Sequence, residues 1–242
     1  MKQHARNGIT LIELLVSITL LSLLSVGILF AFRIGVNSLS RTDSRLISNR
    51  RVLGVERILT EQIAGFVPTR AECGAPPHPL PFFQGEPETM RFVSTYSLQE
   101  ASRGYPRILE FQVIPGDEGR GVRLIVNEHL YSGPFSTRRF CSGVQADPLA
   151  RSIAPLFYPV QIGSDSFVLA DKLAHCRFAF LEEFEPPRTA IWRSRWGKDV
   201  TPAAVRIDMA PLEPDPAKLQ VPSFVAPFRV DRSPMEAHAD WE

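Results

Sequence analysis

Glu13 is the one charged residue in an apolar run that extends from Ile9 to Phe32. A carboxylate at the centre of a membrane helix costs about 2.5–3.5 kcal/mol, so such a residue usually has a partner. If the chain were cut after Gly8, the new α-amino group would belong to Ile9, one helical turn before Glu13. We therefore predict that the Glu13 carboxylate of one subunit neutralises the terminal amine of another when their helices pack side by side.

Residues suited to catalysis or metal binding are scattered. The five histidines are dispersed, and no H-E-x-x-H, C-x-x-C or G-x-S-x-G pattern occurs. The glycine-rich segment 116–121 lacks the Lys of a phosphate loop and is best interpreted as a hairpin turn. The acidic segment 182–185 could offer oxygen ligands to calcium, but a solvated strand end is the preferred interpretation. We expect no catalytic residue, no metal and no cofactor, and therefore no enzyme.

The apolar run itself predicts a membrane helix. At about 1.5 Å per residue it spans about 36 Å, enough to cross a hydrocarbon core of about 30 Å with some tilt. Lys2 and Arg6 precede it, and this positive charge predicts a cytoplasmic N-terminus, with everything after Arg33 on the other side. A secretory signal peptide normally has a shorter apolar region and a small-residue cleavage site after it. An uncleaved signal anchor remains an alternative.

The N-terminal residues carry a specific resemblance. The basic segment 2–8 ending in Gly8, followed by Thr10-Leu11-Ile12-Glu13-Leu14-Leu15-Val16, resembles the leader and signature of type IV prepilins and type II secretion pseudopilins. The resemblance implies that a prepilin peptidase cuts after Gly8 and methylates Ile9, and that Glu13 is the assembly carboxylate. One departure is that Ile9 stands where the family most often has Phe.

Beyond the apolar run, the pattern changes to that of an amphipathic helix. Apolar residues recur every three to four positions, with charged residues between them, and the stripe comprises Leu39, Leu46, Val52, Val55, Leu59, Ile63 and Phe66. Pro68 supports an end near Ala64-Gly65. We expect this stripe to pack on a sheet, because such a helix gains most of its stability from packing.

The rest of the chain predicts β-strands, and hence an α+β fold. Candidate strands are Met90–Tyr96, Arg107–Ile114, Gly121–Asn127, Ser166–Ala170, Ala174–Leu181, Ala203–Met209 and Ser223–Val230. The strands Arg107–Ile114 and Gly121–Asn127 form a predicted hairpin around the loop 115–119. The expected fold is pilin-like, with a long N-terminal helix packed on an antiparallel sheet. The expected divisions are a leader (1–8), a transmembrane helix (9–33), its amphipathic continuation (34–66) and a periplasmic β-rich domain (67–242).

Three cysteines fit a compartment that permits disulfides. Cys73 and Cys141 lie in surroundings rich in Pro or Gly that suggest loops, whereas Cys176 lies on the inward face of a predicted strand. We predict a Cys73–Cys141 disulfide and a buried free thiol at Cys176, which behaves as a small apolar residue.

Further segments narrow the resemblance. In order along the chain, segments 82–85, 90–94, 192–196 and 202–207 resemble elements of the J-type minor pseudopilin of type II secretion. This implies an inner-membrane protein of the tip of a periplasmic pseudopilus that drives export of folded proteins. The implied partners are the prepilin peptidase, I- and K-type pseudopilins and secreted proteins. The net charge of +1 gives no basic field for nucleic acid. The alternatives are a W-type minor type IV pilin, and a membrane-anchored hydrolase, for which no nucleophile is visible.

Overall fold

The computed structural model describes residues 10–74, 78–147, 152–184, 189–198, 200–213 and 223–229. Within these ranges, the side chains of residues 35–53, 78–79, 146–147, 152 and 184 are not described. Gly8 and Ile9 lie outside the described residues. The chain divides into two compact units, residues 1–48 and residues 49–242.

A single helix, α1 (Leu11–Ala64), begins directly after Thr10. Its segment Leu11–Ile34 has 24 residues, a mean hydropathy of 2.5 and no residue buried within the protein. These properties are those of a single-pass membrane anchor. The hydroxyl groups along this segment donate to backbone carbonyls three or four residues earlier, which satisfies them without water; they belong to Ser17, Thr19, Ser22 and Ser25.

The last turns of α1 belong to the core of the second unit. Val55, Leu59 and Ile63 recur every four residues and are buried, and so is Phe66 just beyond the helix. The predicted apolar stripe is confirmed at Val55, Leu59 and Ile63, because this spacing places side chains on one helix face. The stripe was wrong for Phe66, which is buried but lies beyond the helix end. The side chains of Leu39, Leu46 and Val52 lie outside the described residues. The helix ends at Ala64, as predicted.

Thirteen strands follow the helix in the described part of the chain. They are β1 (Phe66–Val67), β2 (Arg70–Cys73), β3 (His78–Pro81), β4 (Gln84–Gly85), β5 (Thr89–Ser97), β6 (Ser102–Pro115), β7 (Val122–Leu130), β8 (Cys141–Asp147), β9 (Ser152–Phe157), β10 (Phe167–Phe184), β11 (Thr189–Arg193), β12 (Ala204–Pro211) and β13 (Phe224–Pro227). Nine of them form one antiparallel sheet in the order β1-β5-β6-β7-β10-β12-β13, with β4 beside β5 and β11 beside β10. Alternate residues of these strands face α1 and form an apolar core rich in phenylalanine.

Most of the predicted strands are confirmed, including the hairpin of β6 and β7. Phe111 pairs with Val126 and Val113 with Leu124, and all four are buried. The separation of Ser166–Ala170 from Ala174–Leu181 was wrong. Strand β10 continues through both segments, because register shifts around Lys172, which has a φ of 56°, accommodate the interruption without ending the pairing.

The opposite face of the sheet carries a second layer that the sequence did not predict. Two short hairpins, β2-β3 and β8-β9, lie there with a 3-10 turn at Pro134–Phe140. Val93 and Ile108 point from β5 and β6 into this second cluster, whereas Phe92 and Leu109 point to the first. The interpretation of the Cys73 and Cys141 surroundings as loops was therefore wrong, because Cys73 ends β2 and Cys141 begins β8.

Candidate functional site

Glu13 lies in the first turn of α1, at the start of the apolar segment. Its backbone N–H faces the Thr10 hydroxyl at 3.4 Å, which is half of the reciprocal capping arrangement that a Thr-x-x-Glu sequence allows. The other half is not formed, because the Glu13 carboxylate makes no hydrogen bond or ion pair with any residue that the structure describes. Glu13 is exposed in the isolated chain and has no internal partner among residues 10–74.

The helix dipole does not by itself account for this carboxylate. An acidic residue in the first turn gains about 0.3–1 kcal/mol from the dipole. The cost of a carboxylate at the bilayer centre is about 2.5–3.5 kcal/mol, an upper bound for a residue this close to the helix start. The dipole gain is smaller than this upper bound, so a positive charge outside the chain would stabilise the carboxylate further. The sequence-predicted partner, the amine of a processed Ile9, lies outside the described residues together with the cleavage residue Gly8.

The three cysteines adopt two different states. Cys73 and Cys141 are joined by a disulfide with a Cα–Cα distance of 5.5 Å, and they connect the two hairpins of the second layer. Cys176 is a buried free thiol on the core face of β10. Burial raises the pKa of Cys176 to about 12, so this thiol is protonated and unreactive at neutral pH.

A serine, a histidine and an aspartate meet at the edge formed by β10, β12 and β13. His175 Nε2 lies 3.6 Å from Asp208 Oδ1, and the Ser223 hydroxyl donates a hydrogen bond of 2.5 Å to the same oxygen. The hydrogen bond from Ser223 lowers the pKa of Asp208. Because the carboxylate stands between hydroxyl and imidazole, His175 cannot take the serine proton, and the arrangement lacks the nucleophile–base contact that hydrolysis needs.

The acidic segment after residue 181 differs from its sequence-based interpretation. Glu182 is 5 % exposed and pairs with Arg193, at 2.8 Å, and with Lys198. The solvated strand end predicted here was therefore wrong for Glu182, since β11 and the segment after it bring two cations to its carboxylate. Glu185 lies outside the described residues. Among the described ranges, no group of three His, Cys, Asp or Glu side chains is placed to hold a metal.

The two tryptophans of segment 192–196 have structural contacts. Trp196 is buried, its backbone N–H donates to the Gly85 carbonyl at 2.8 Å, and its indole N–H donates to the Val200 carbonyl. A Cβ at Gly85 would lie 2.7 Å from the Trp196 Cβ, so only glycine allows this approach. Trp192 is half-buried, with the Arg206 guanidinium 4.8 Å from its ring.

A buried polar cluster between the sheet and its second layer escaped the sequence analysis. Arg91 donates from Nε to Glu110 Oε1 at 2.7 Å and from its terminal nitrogens to Gln84 Oε1 and the Tyr158 carbonyl. His129 Nε2 lies 2.9 Å from Glu110 Oε2. The signal that could have found the cluster is a charge flanked by apolar residues in each of two strands, Arg91 in β5 and Glu110 in the second half of β6.

The charge of Glu110 is set by these neighbours. Burial raises the pKa of the Glu110 carboxyl, but the hydrogen bond with His129 and the charge and hydrogen bond of Arg91 outweigh it, so the pKa lies below its usual value. Glu110 is therefore ionised at neutral pH and compensates the buried guanidinium. The cluster is a paired ionic centre that holds the second layer to the sheet.

Comparison with known proteins adds one match. The family model of the prokaryotic N-terminal methylation motif matches residues 3–29. No curated protein and no solved structure shows a significant match to the chain. Pilin-like proteins are structural rather than catalytic, are processed by a prepilin peptidase and assemble with other subunits of their kind. The methylation motif and the apolar helix followed by an antiparallel sheet domain together support a type IV pilin-like protein.

Proposed function

We propose that this protein is a minor pseudopilin of a type II secretion system, of the J type. It assembles at or near the tip of the periplasmic pseudopilus that drives export of folded proteins across the outer membrane. Its role is structural, and it binds no cofactor or nucleic acid. The second candidate is a W-type minor type IV pilin, which shares the same leader and assembly chemistry.

The observation that carries the proposal is the unpartnered carboxylate of Glu13 inside a matched methylation motif. After cleavage following Gly8, the methylated amine of Ile9 on one subunit lies within reach of Glu13 on a neighbour. Opposite charges in a low-dielectric setting attract far more strongly than in water, so the contact favours helix–helix assembly in the membrane and in the fibre.

The proposed topology follows from the charge before the helix. Lys2 and Arg6 keep the leader, residues 1–8, in the cytoplasm, where the prepilin peptidase cuts it. Residues 9–33 cross the inner membrane, and α1 continues from residue 34 as the amphipathic helix and ends at Ala64. Residues 67–242 form the periplasmic domain. The periplasm is an oxidising compartment, so the Cys73–Cys141 disulfide is stable there.

The J-type assignment gains support from the way two of the resembling segments meet. Segment 82–85 contains Gly85 and segment 192–196 contains Trp196, and the two pair through a backbone hydrogen bond across a contact that only glycine permits. Segments that are far apart in the sequence thus build one structural feature. Such a feature accounts for their joint occurrence without a role in ligand binding.

The decisive experiment compares wild type with Gly8→Ala and Glu13→Ala in the native host. We expect the wild-type mass to correspond to a chain that starts at methylated Ile9. Gly8→Ala should retain the basic leader and migrate more slowly. Glu13→Ala should be inserted and cut, but should fail to support secretion and to co-purify with the I- and K-type pseudopilins.

Two outcomes would contradict the proposal. A purified chain that still starts at Met1 excludes processing, and normal secretion by Glu13→Ala excludes the assembly role. Thr19→Ala is a matched control, because its hydroxyl is satisfied by the Val16 carbonyl within the same helix. Co-purification with pilus subunits in place of the I- and K-type pseudopilins would transfer the assignment to the W-type minor pilin.

A further inference from the structure

A cavity of about 320 Å³ opens beside the buried ionic cluster. It is lined by Arg91, Glu110, His129, Arg139, Phe140, Tyr158, Pro159 and Gln161. The volume is at the lower end of the range for small-ligand pockets, about 300–1,000 Å³, and is large enough for one or two side chains. Aromatic rings and basic groups share the lining, which suits a ligand with both an apolar and a charged part.

Positive charge predominates around one ring of this cavity. The guanidinium carbon of Arg91 lies 5.6 Å from the centre of the Phe140 ring, that of Arg139 lies 4.8 Å from it, and the His129 ring lies 5.3 Å from it. Glu110 is the acidic residue of the lining, and Arg91 and His129 already bind its two oxygens. With histidine neutral, the two arginines and one glutamate leave a net charge of +1.

Arg139 carries this excess charge at the rim. It is exposed, stacks on Phe140, and forms no ion pair with any residue in the part of the chain that the structure describes. The neighbouring Arg138 is different, because it binds Glu72 at 3.1 Å and stacks on Phe135. A guanidinium that is held over a ring beside an open cavity presents its N–H donors to a ligand in a fixed geometry.

We propose that this cavity binds a carboxylate carried by an apolar group, as found in an acidic side chain beside an aromatic residue of a partner polypeptide. Arg139 binds the carboxylate in a charge-assisted pair, and the exposed ring of Tyr158, together with Pro159, receives the apolar part. A free aromatic acid has the same chemistry and is the other possible source. The inference concerns the globular domain and does not depend on the role of Glu13 in assembly.

To test this proposal, full-length protein in nonionic detergent is titrated with three probes, and binding is measured by calorimetry and ligand-observed NMR. The probes are the blocked dipeptide acetyl-Phe-Glu-amide, its neutral counterpart acetyl-Phe-Gln-amide, and phenylacetate. We expect saturable binding of the Glu dipeptide, and about tenfold weaker binding of the Gln dipeptide, which corresponds to about 1.4 kcal/mol. Phenylacetate that binds as tightly as the Glu dipeptide would support the carboxylate chemistry and assign it to a small acid.

Two matched variants locate the binding. Arg139→Gln should weaken binding of the Glu dipeptide about tenfold and leave binding of the Gln dipeptide unchanged. Arg138→Gln removes the same charge one residue away, from a side chain outside the cavity lining, and should leave both unchanged. Absence of saturable binding, equal binding of the two dipeptides, or equal effects of the two variants would overturn the proposal. Both arginines are at the surface, so thermal unfolding curves should show that both variants remain folded.

Discussion

Removal of the carboxylate that pairs with Arg91 should strongly destabilise the globular domain. Arg91 is 1 % exposed and Glu110 is 4 % exposed, and their side chains are joined by an ion pair in the middle of β5 and β6. Glu110→Gln keeps the shape of the side chain but removes its charge. The guanidinium of Arg91 then stays buried without its ion-pair partner, and the remaining acidic group that acts on it, Glu86, is not in contact with it.

The expected loss in the free energy of unfolding is about 3 kcal/mol. Breaking a buried ion pair by removing one partner costs about 3–5 kcal/mol, because the remaining charge stays desolvated. The lower end of this energy range applies to Glu110→Gln, since Arg91 keeps its hydrogen bonds to Gln84 and to the Tyr158 carbonyl. The double variant Arg91→Met/Glu110→Leu should recover part of the loss, because it leaves no buried charge unpaired.

The measurement is urea unfolding of the full-length protein in nonionic detergent, followed by tryptophan fluorescence, to which the buried Trp196 contributes. The matched control is Glu118→Gln, which removes the same charge from an ion pair with Arg120 whose side chains are 79 % and 72 % exposed. We expect no measurable change in the control. A Glu110→Gln protein as stable as the control would refute the conclusion that this ion pair is buried and holds the second layer.

The same cluster and two other features lead to further predictions. The pKa of Glu110 is lower in the folded protein than in the unfolded chain, where it is near 4.5. The ionised Glu110 therefore contributes to stability above the unfolded pKa, and this contribution is lost as the pH falls through the folded pKa. Glu110→Gln should flatten this dependence of urea unfolding on acid pH. Gly85→Ala should cost about 1–3 kcal/mol of unfolding free energy, whereas Gly197→Ala, which has open space around it, should be nearly neutral; equal effects would contradict the close approach. Mass mapping without reduction should recover Cys73 and Cys141 in one linked pair of peptides. Their replacement by serine should cost about 4 kcal/mol, because the disulfide closes a 68-residue separation; a linked peptide that contains Cys176 would refute the pairing.

Parts of the fold with strong local patterns could be predicted from the sequence. The apolar run around Glu13, the buried stripe Val55, Leu59 and Ile63, and the hairpin with its glycine-containing loop all follow from periodicity and turn chemistry. The interruption near Lys172 was misjudged, because a bulge and a strand end have the same local sequence signals. Only the pairing of β10 with strands on both sides distinguishes the two.

The second layer could not be predicted, because its short hairpins have few residues and weak alternation. Their stability comes from Phe82, Phe140 and Phe157 packing on the far face of the sheet, a contact between segments far apart in the chain. The burial of Glu182 has the same origin. An acidic pair at the end of a strand is usually solvated, and the cations that cover Glu182 arrive with β11 and the segment after it.

The sequence by itself determined the membrane helix, the processing motif and the position of Glu13, because each depends on residue types at fixed spacings along one continuous segment. The tertiary structure decided how Arg91, Glu110, His129 and Arg139 come together around one cavity. These four residues lie on two central strands, a neighbouring strand and a 3-10 turn, and no local pattern encodes their distances. The charges of Arg91 and Glu110 are tolerated inside the protein because they pair with each other beneath the second layer, and packing is a property of the folded chain as a whole.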